Sequence, residues 1–116
     1  MIYKSTKYFK EIGPCAYRNW RSDTDCYLLH GYCRSFKFVF GCENLDRQGF
    51  VVDFGGLKDI KNWLNEQWDH RLLIASDDPL ISDFKSLHDK GGCNLNIMDI
   101  EQGWGPGIEA SCKFVY

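Results

Sequence analysis

The stretch Ser35–Phe40, SFKFVF, places an aromatic ring at every second position. Phe36, Phe38 and Phe40 alternate with Ser35, Lys37 and Val39. Successive side chains of a strand point to opposite faces, so this spacing predicts a strand with one buried face. Working outward, the strand turns at ENLDRQG (43–49) and the chain returns through FVVDF (50–54). Residues 1–12 mix β-formers with lysines and predict another strand. Between the two lies 13–31, with Gly13, Pro14 and a polar cluster at 22–25, which reads as a long loop of the kind that carries function.

Downstream the period changes. Leu57, Ile60, Leu64 and Trp68 recur at three- and four-residue spacing, one face of an amphipathic helix over 55–68, with Asp53 placed as a cap or first-turn anion. A second helix is predicted from Asp78 as cap and Pro79 at its first position, burying Leu80, Phe84 and Leu87 before Gly91 and Gly92 stop it. Residues 94–100 read as a strand. Another is predicted over 108–115, where Ile108, Ala110, Cys112 and Phe114 alternate with Glu109, Ser111, Lys113 and Val115. The expected order is strand, strand, helix, helix, strand, strand: an α+β domain with an antiparallel sheet and both helices on one face.

A chain of 116 residues without repeats or a linker is expected to form one domain over 1–116. Its formal net charge of -2 gives no electrostatic reason to expect nucleic acid or an anionic membrane as partner. The amino-terminal MIYKSTKYFKEIGP lacks an apolar run, and no segment approaches membrane-spanning length, so a soluble cytoplasmic protein is the expectation. Disulfide scaffolds are shorter and accompany secretion signals, so the six cysteines are expected to be reduced and mostly buried, and the lack of a Cys-x-x-Cys pair disfavours a zinc knuckle.

Histidine chemistry has three candidates. His88 reads as a helix-end residue beside Asp89 and Lys90. His70 follows Asp69, and a carboxylate next to an imidazole can orient and charge it for proton transfer, or the histidine can simply cap a helix. His30 follows Cys26 in CYLLHGYC (26–33), which is open to three readings: half a metal site, a nucleophile with its base, or two core residues.

Taken in order, Cys-x-x-x-His-Gly at 26–31, GFVVDFGGLK at 49–58, WDHRLL at 68–73 and a late Glu109 on a terminal strand resemble the 6-pyruvoyl-tetrahydropterin synthase and 6-carboxytetrahydropterin synthase family. The resemblance runs from about Phe9 to the end. It implies the tunnelling fold, in which such units join side by side into a barrel, commonly as a hexamer of two stacked trimers. An open four-stranded sheet leaves unpaired edges that such closure removes. By resemblance, Cys26 matches the catalytic cysteine that moves protons on the substrate side chain, Asp69 and His70 complete the proton relay, and Glu109 grips the pterin through a bidentate carboxylate. The implied substrate is 7,8-dihydroneopterin triphosphate. The carboxy branch would release 6-carboxytetrahydropterin, acetaldehyde and triphosphate, a step toward queuosine, with Arg18, Arg21 and Lys37 as candidates for the triphosphate.

The family also binds zinc through three histidines, and here the sequence departs. GPCAYRNW (13–20) puts Tyr17, and HGYC puts Tyr32, where two of those ligands belong, leaving His30. A phenol with a pKa near ~10 must lose a proton before it ligates zinc. Asp25, Cys15, Cys26 and Cys33 lie near His30 in sequence and are the groups from which a metal site could be rebuilt. Two further departures are Ala110 after Glu109, and SDDPLISDF (76–84) in the region of the family's Pro-Thr-x-Glu-Asn-like helix start. The alternatives to a pterin lyase are a pterin-binding homologue of the same fold without the chemistry, and a single-stranded RNA binder. The last rests on aromatics interleaved with basic residues in YCRSFKFVF (32–40), which the core explains better.

Overall fold

The computed structural model describes all 116 residues. Two long strands, β1 (Tyr3–Tyr17) and β2 (His30–Cys42), pair antiparallel from Tyr3 opposite Cys42 to Tyr17 opposite His30. The aromatic alternation reads out as expected: Phe36, Phe38 and Phe40 face the core, and Phe9 meets Phe38 edge to face at 5.5 Å. β1 runs five residues beyond the predicted strand, so residues 13–17 are strand, not loop. The pairing absorbs Gly13 and Pro14 through register shifts on either side of Ile12, where Glu11 and Gly13 adopt positive φ of 59° and 123°. Such bulges keep Ile12, Cys15 and Tyr17 facing the core.

The sheet is mixed, which corrects the antiparallel expectation. Its order is β2-β1-β3-β4, with β3 (Leu72–Ala75) parallel to both β1 and β4 (Leu95–Met98). All four residues of β3 are buried. A strand covered on both faces shows a continuous apolar run rather than an alternation, so LLIA gave no period-two signal. Residues 50–54 also depart from prediction: FVVDF is not a strand. The Asp46 carboxylate accepts the backbone N–H groups of Gln48 and Phe50 at 2.8 Å each, winding the chain into a turn. Asp53 then accepts the Gly55 N–H at 2.9 Å and starts the short helical turn that leads into α1 (Lys58–Trp68). Here the predicted cap is present.

α2 (Ile81–Asp89) begins three residues after Asp78, whose carboxylate accepts the Leu80 N–H at 2.9 Å. Its buried face reduces to Phe84, since Leu80 and Leu87 are exposed. The segment 108–115 is helix α3 (Ile108–Val115), not a strand. Its alternation is misleading because Phe114 and Val115, packed on the core, and buried Ser111 also share a helical face. Ser111 closes the first turn twice, through N–H and hydroxyl to the Gly107 carbonyl.

The helices flank both faces of β3 rather than one. On one side Leu73 joins Leu64 and Trp68 of α1, Phe9, Ile12 and Met98, with Phe114 of α3 against Trp63, Trp68 and Trp104. On the other, Leu72 and Ile74 pack on Phe84 of α2. The β1–β2 ribbon projects past the short strands, giving a molecule 52 × 28 × 22 Å. No helix is long and apolar enough to cross a membrane.

Candidate active site

The carboxyl end of β1 and the start of β2 bring together the residues of CYLLHGYC. Tyr17 lies directly opposite His30 with ring centroids 4.2 Å apart, and its ring meets Tyr32 edge to face at 5.7 Å. Gly31 between them faces Ala16, and a Cβ there would stand 2.8 Å from the Cys15 carbonyl oxygen, so the close approach of the strands requires glycine. His30 Nδ1 donates to the Leu28 carbonyl at 2.8 Å, which leaves Nε2 as its acceptor. Burial, together with the neighbouring Tyr32 and Cys26 side chains, pushes the Tyr17 phenol up to about 12, against a smaller lowering by Arg34.

Arg34 is the residue that sequence reasoning missed. It is buried, donates to the Ser111 hydroxyl and the Pro106 carbonyl at 2.6 Å each, and lies over the rings of Tyr17, Tyr32 and Trp68 at 5.0, 5.5 and 5.9 Å. No carboxylate pairs with it. The signal was present: Arg34 is two residues before Phe36, so the same alternation places a guanidinium on the core face.

Cys26 sits on the one-turn helix Asp25–Tyr27, exposed. The loop that carries it is pinned at its start. Arg18 forms a two-pronged pair with buried Asp78, Arg21 pairs with Asp77 at 2.6 Å, and Trp20 Nε1 donates to Asp77 at 3.0 Å. Burial alone would raise the Asp77 pKa, but the hydrogen bonds from Arg21 and Trp20 and the charge of Arg21 outweigh it and hold the carboxyl below its usual range. Both arginines singled out for triphosphate therefore have carboxylate partners within the chain.

Asp69 and His70 follow α1. Asp69 Oδ1 lies 2.6 Å from His70 Nδ1, and both side chains are substantially exposed. His70 has a left-handed backbone, φ 56°, held by its N–H donating to the Pro14 carbonyl at 2.6 Å. Non-glycine residues in this region carry strain that persists where surrounding structure imposes it, often at functional sites. No hydrogen bond or ion pair joins His70 to Cys26. Glu109 lies exposed in the first turn of α3, which corrects its placement on a terminal strand. His88 Nδ1 accepts the Leu95 N–H at 3.0 Å, tying the end of α2 to β4.

No three His, Cys, Asp or Glu side chains converge into a metal-holding group, so Asp25, Cys15, Cys26 and Cys33 do not rebuild one around His30. With two phenols, poor zinc ligands until they lose a proton, and one imidazole facing a guanidinium, the residues present do not fit zinc.

The family model described as 6-pyruvoyl tetrahydropterin synthase matches residues 8–116. A curated relative from Aquifex aeolicus (strain VF5), named 6-carboxy-5,6,7,8-tetrahydropterin synthase, is 32% identical over 91 residues, covering 78% of this chain and 54% of its own length. A protein of the same name from Rickettsia felis is 37% identical over 54 residues, 46% of this chain and 39% of its own. The crystal structure of uncharacterized protein WS1659 from Wolinella succinogenes is similar with a TM-score of 0.65 at 28% identity, over 78% of this chain and 54% of that one. The chain thus spans about half, or less, of the length of these relatives.

Proposed function

This chain belongs to the 6-pyruvoyl tetrahydropterin synthase family, and from that premise we propose that it is a pterin-metabolising lyase of the 6-carboxytetrahydropterin synthase type. Its substrate on this reading is 7,8-dihydroneopterin triphosphate, and its products are 6-carboxytetrahydropterin, acetaldehyde and triphosphate. The observation that carries the reading is the Asp69–His70 contact at 2.6 Å on a strained backbone position. A carboxylate on Nδ1 fixes the tautomer and leaves Nε2 facing outward to take or give a proton. The exposed Cys26 thiol supplies the second proton-transfer group. Arg18 and Arg21, bound to Asp78 and Asp77, hold the loop that carries it.

Cys26 and His70 share no bond within one chain, which favours a site completed by a second copy. Both outer strands of the sheet, β2 and β4, are edges open to pairing, and the projecting β1–β2 ribbon offers the longer one. Assembly into a closed ring, as in a hexamer of two trimers, follows on this reading. The second reading, a pterin-binding homologue with altered chemistry, is favoured by the misfit to zinc.

The test is incubation of the purified protein with 7,8-dihydroneopterin triphosphate and identification of products by mass spectrometry, alongside Cys26→Ala and His70→Ala. Formation of 6-carboxytetrahydropterin by the parent and not by either variant supports the lyase. Pterin binding without turnover, in folded and assembled protein, transfers the reading to the binding homologue.

A further inference from the structure

We propose that Arg34 is a built-in cation that takes the place of a divalent metal at the Tyr17–His30–Tyr32 cluster, so that this site excludes zinc. The inference goes beyond the reaction and stands whether or not the chain turns over a pterin. Three observations carry it.

The first is position. Tyr17, His30 and Tyr32 share one face at the paired ends of β1 and β2, and Arg34 is the next inward residue of β2 on that face. Its guanidinium carbon lies 5.0 Å from the Tyr17 ring and 5.5 Å from the Tyr32 ring, over the faces of the two rings that replace imidazoles. Ring faces attract a guanidinium through their quadrupole.

The second is charge. Arg34 is buried, and its partners are the neutral Ser111 hydroxyl and Pro106 carbonyl. With no carboxylate beside it, its full positive charge acts on the cluster, and low polarity around it weakens screening. A dication placed between the same rings would be repelled at short range.

The third is donor chemistry. His30 offers one free nitrogen, while Tyr17 and Tyr32 present phenols, each of which must lose a proton before it can ligate a metal. The Tyr32 hydroxyl and Arg34 Nε are both buried without a protein partner, and each is an N–H or O–H group able to donate to an oxygen. The cluster therefore presents donors and a cation where a metal requires electron-pair donors.

The test measures zinc directly. The protein is incubated with excess zinc, desalted and assayed for bound metal, with affinity read by chelator competition. The same is done for Tyr17→His/Tyr32→His, which restores three imidazoles, and for the triple variant that adds Arg34→Met. Circular dichroism reports folding, and Arg34→Gln replaces Arg34→Met if the latter does not fold. The expected result is no His30-dependent zinc in the parent, weak binding in the double variant, and about one zinc per chain in the triple variant. Its affinity should exceed the double variant's by roughly 100-fold and vanish on adding His30→Ala. Stoichiometric zinc in the parent that His30→Ala removes would overturn the proposal. So would a double variant that binds as tightly as the triple, or a folded triple variant that binds none.

Discussion

Arg18 and Asp78 grip each other across 60 residues of chain: Arg18 Nε donates to Asp78 Oδ2 at 2.8 Å and Nη2 to Oδ1 at 3.1 Å. The Asp78 side chain is wholly buried, whereas Arg18 keeps a narrow exposed edge. The pair fastens the Cys26 loop to the turn between β3 and α2, and Arg18 Nη1 extends the hold to the Tyr27 carbonyl.

Removing one partner leaves a buried charge unpaired. Arg18→Ala is expected to destabilise the fold by about 3–5 kcal/mol in chemical denaturation. The double variant Arg18→Met/Asp78→Asn should recover much of that loss. Equal destabilisation in single and double variants would show that packing, not charge, dominates there.

The Asp69–His70 pair behaves in the opposite sense because it is exposed. Asp69→Asn is expected to change stability by less than about 1 kcal/mol, as surface pairs do. Turnover should fall by roughly 10²- to 10⁴-fold, the usual contribution of a positioned acid or base. His70→Gly relieves the left-handed backbone at φ 56° and is expected to be at least as stable as the parent while losing activity. A marked drop in its melting temperature would show that the imidazole packs rather than acts.

Gly31→Ala places a methyl group 2.8 Å from the Cys15 carbonyl oxygen, against backbone that cannot rotate away. The expected cost is about 1–3 kcal/mol, with the Tyr17–His30 pairing the first part to loosen. Amide exchange of the β1–β2 ribbon checks this. Protection should fall near Ala16 and Gly31 and hold near Thr6 and Val39, which pair farther along the ribbon.

Tyr17 links stability to alkaline pH. Its folded pKa is raised to about 12 from 10.0, so the folded chain holds a proton that the unfolded chain releases. The associated stability is fully present below pH 10 and is lost as pH rises toward about 12. Tyr17→Phe removes this dependence. Denaturation midpoints of parent and variant should therefore converge or cross over that interval, and parallel curves would contradict the assignment.

Legibility followed period and locality. The strand around Phe36, Phe38 and Phe40, the helix through Leu57, Leu64 and Trp68, and the Asp53 cap were readable because each is decided by residues close to one another in the chain. β3 was not, since both faces of Leu72–Ala75 are covered by elements distant in sequence and leave a plain apolar run. Residues 108–115 misled because their alternation satisfies a strand pattern while Ser111, Phe114 and Val115 satisfy a helical one. Packing against Trp63 and Trp104 selected the helix.

At the site, the adjacent pair Asp69 and His70 was legible because its carboxylate and imidazole are neighbours in the chain. The partners of Arg18, Arg21 and Arg34 were not: Asp78, Asp77 and Ser111 lie from 56 to 77 residues away. Local pattern alone determined the aromatic face of β2, the first helix and the Asp69–His70 motif. Only the tertiary structure decided that the sheet is mixed, that two arginines tie down a loop, and that Arg34 stands among the tyrosines. Charge and burial act through space, and one dimension of sequence does not record which distant surfaces meet.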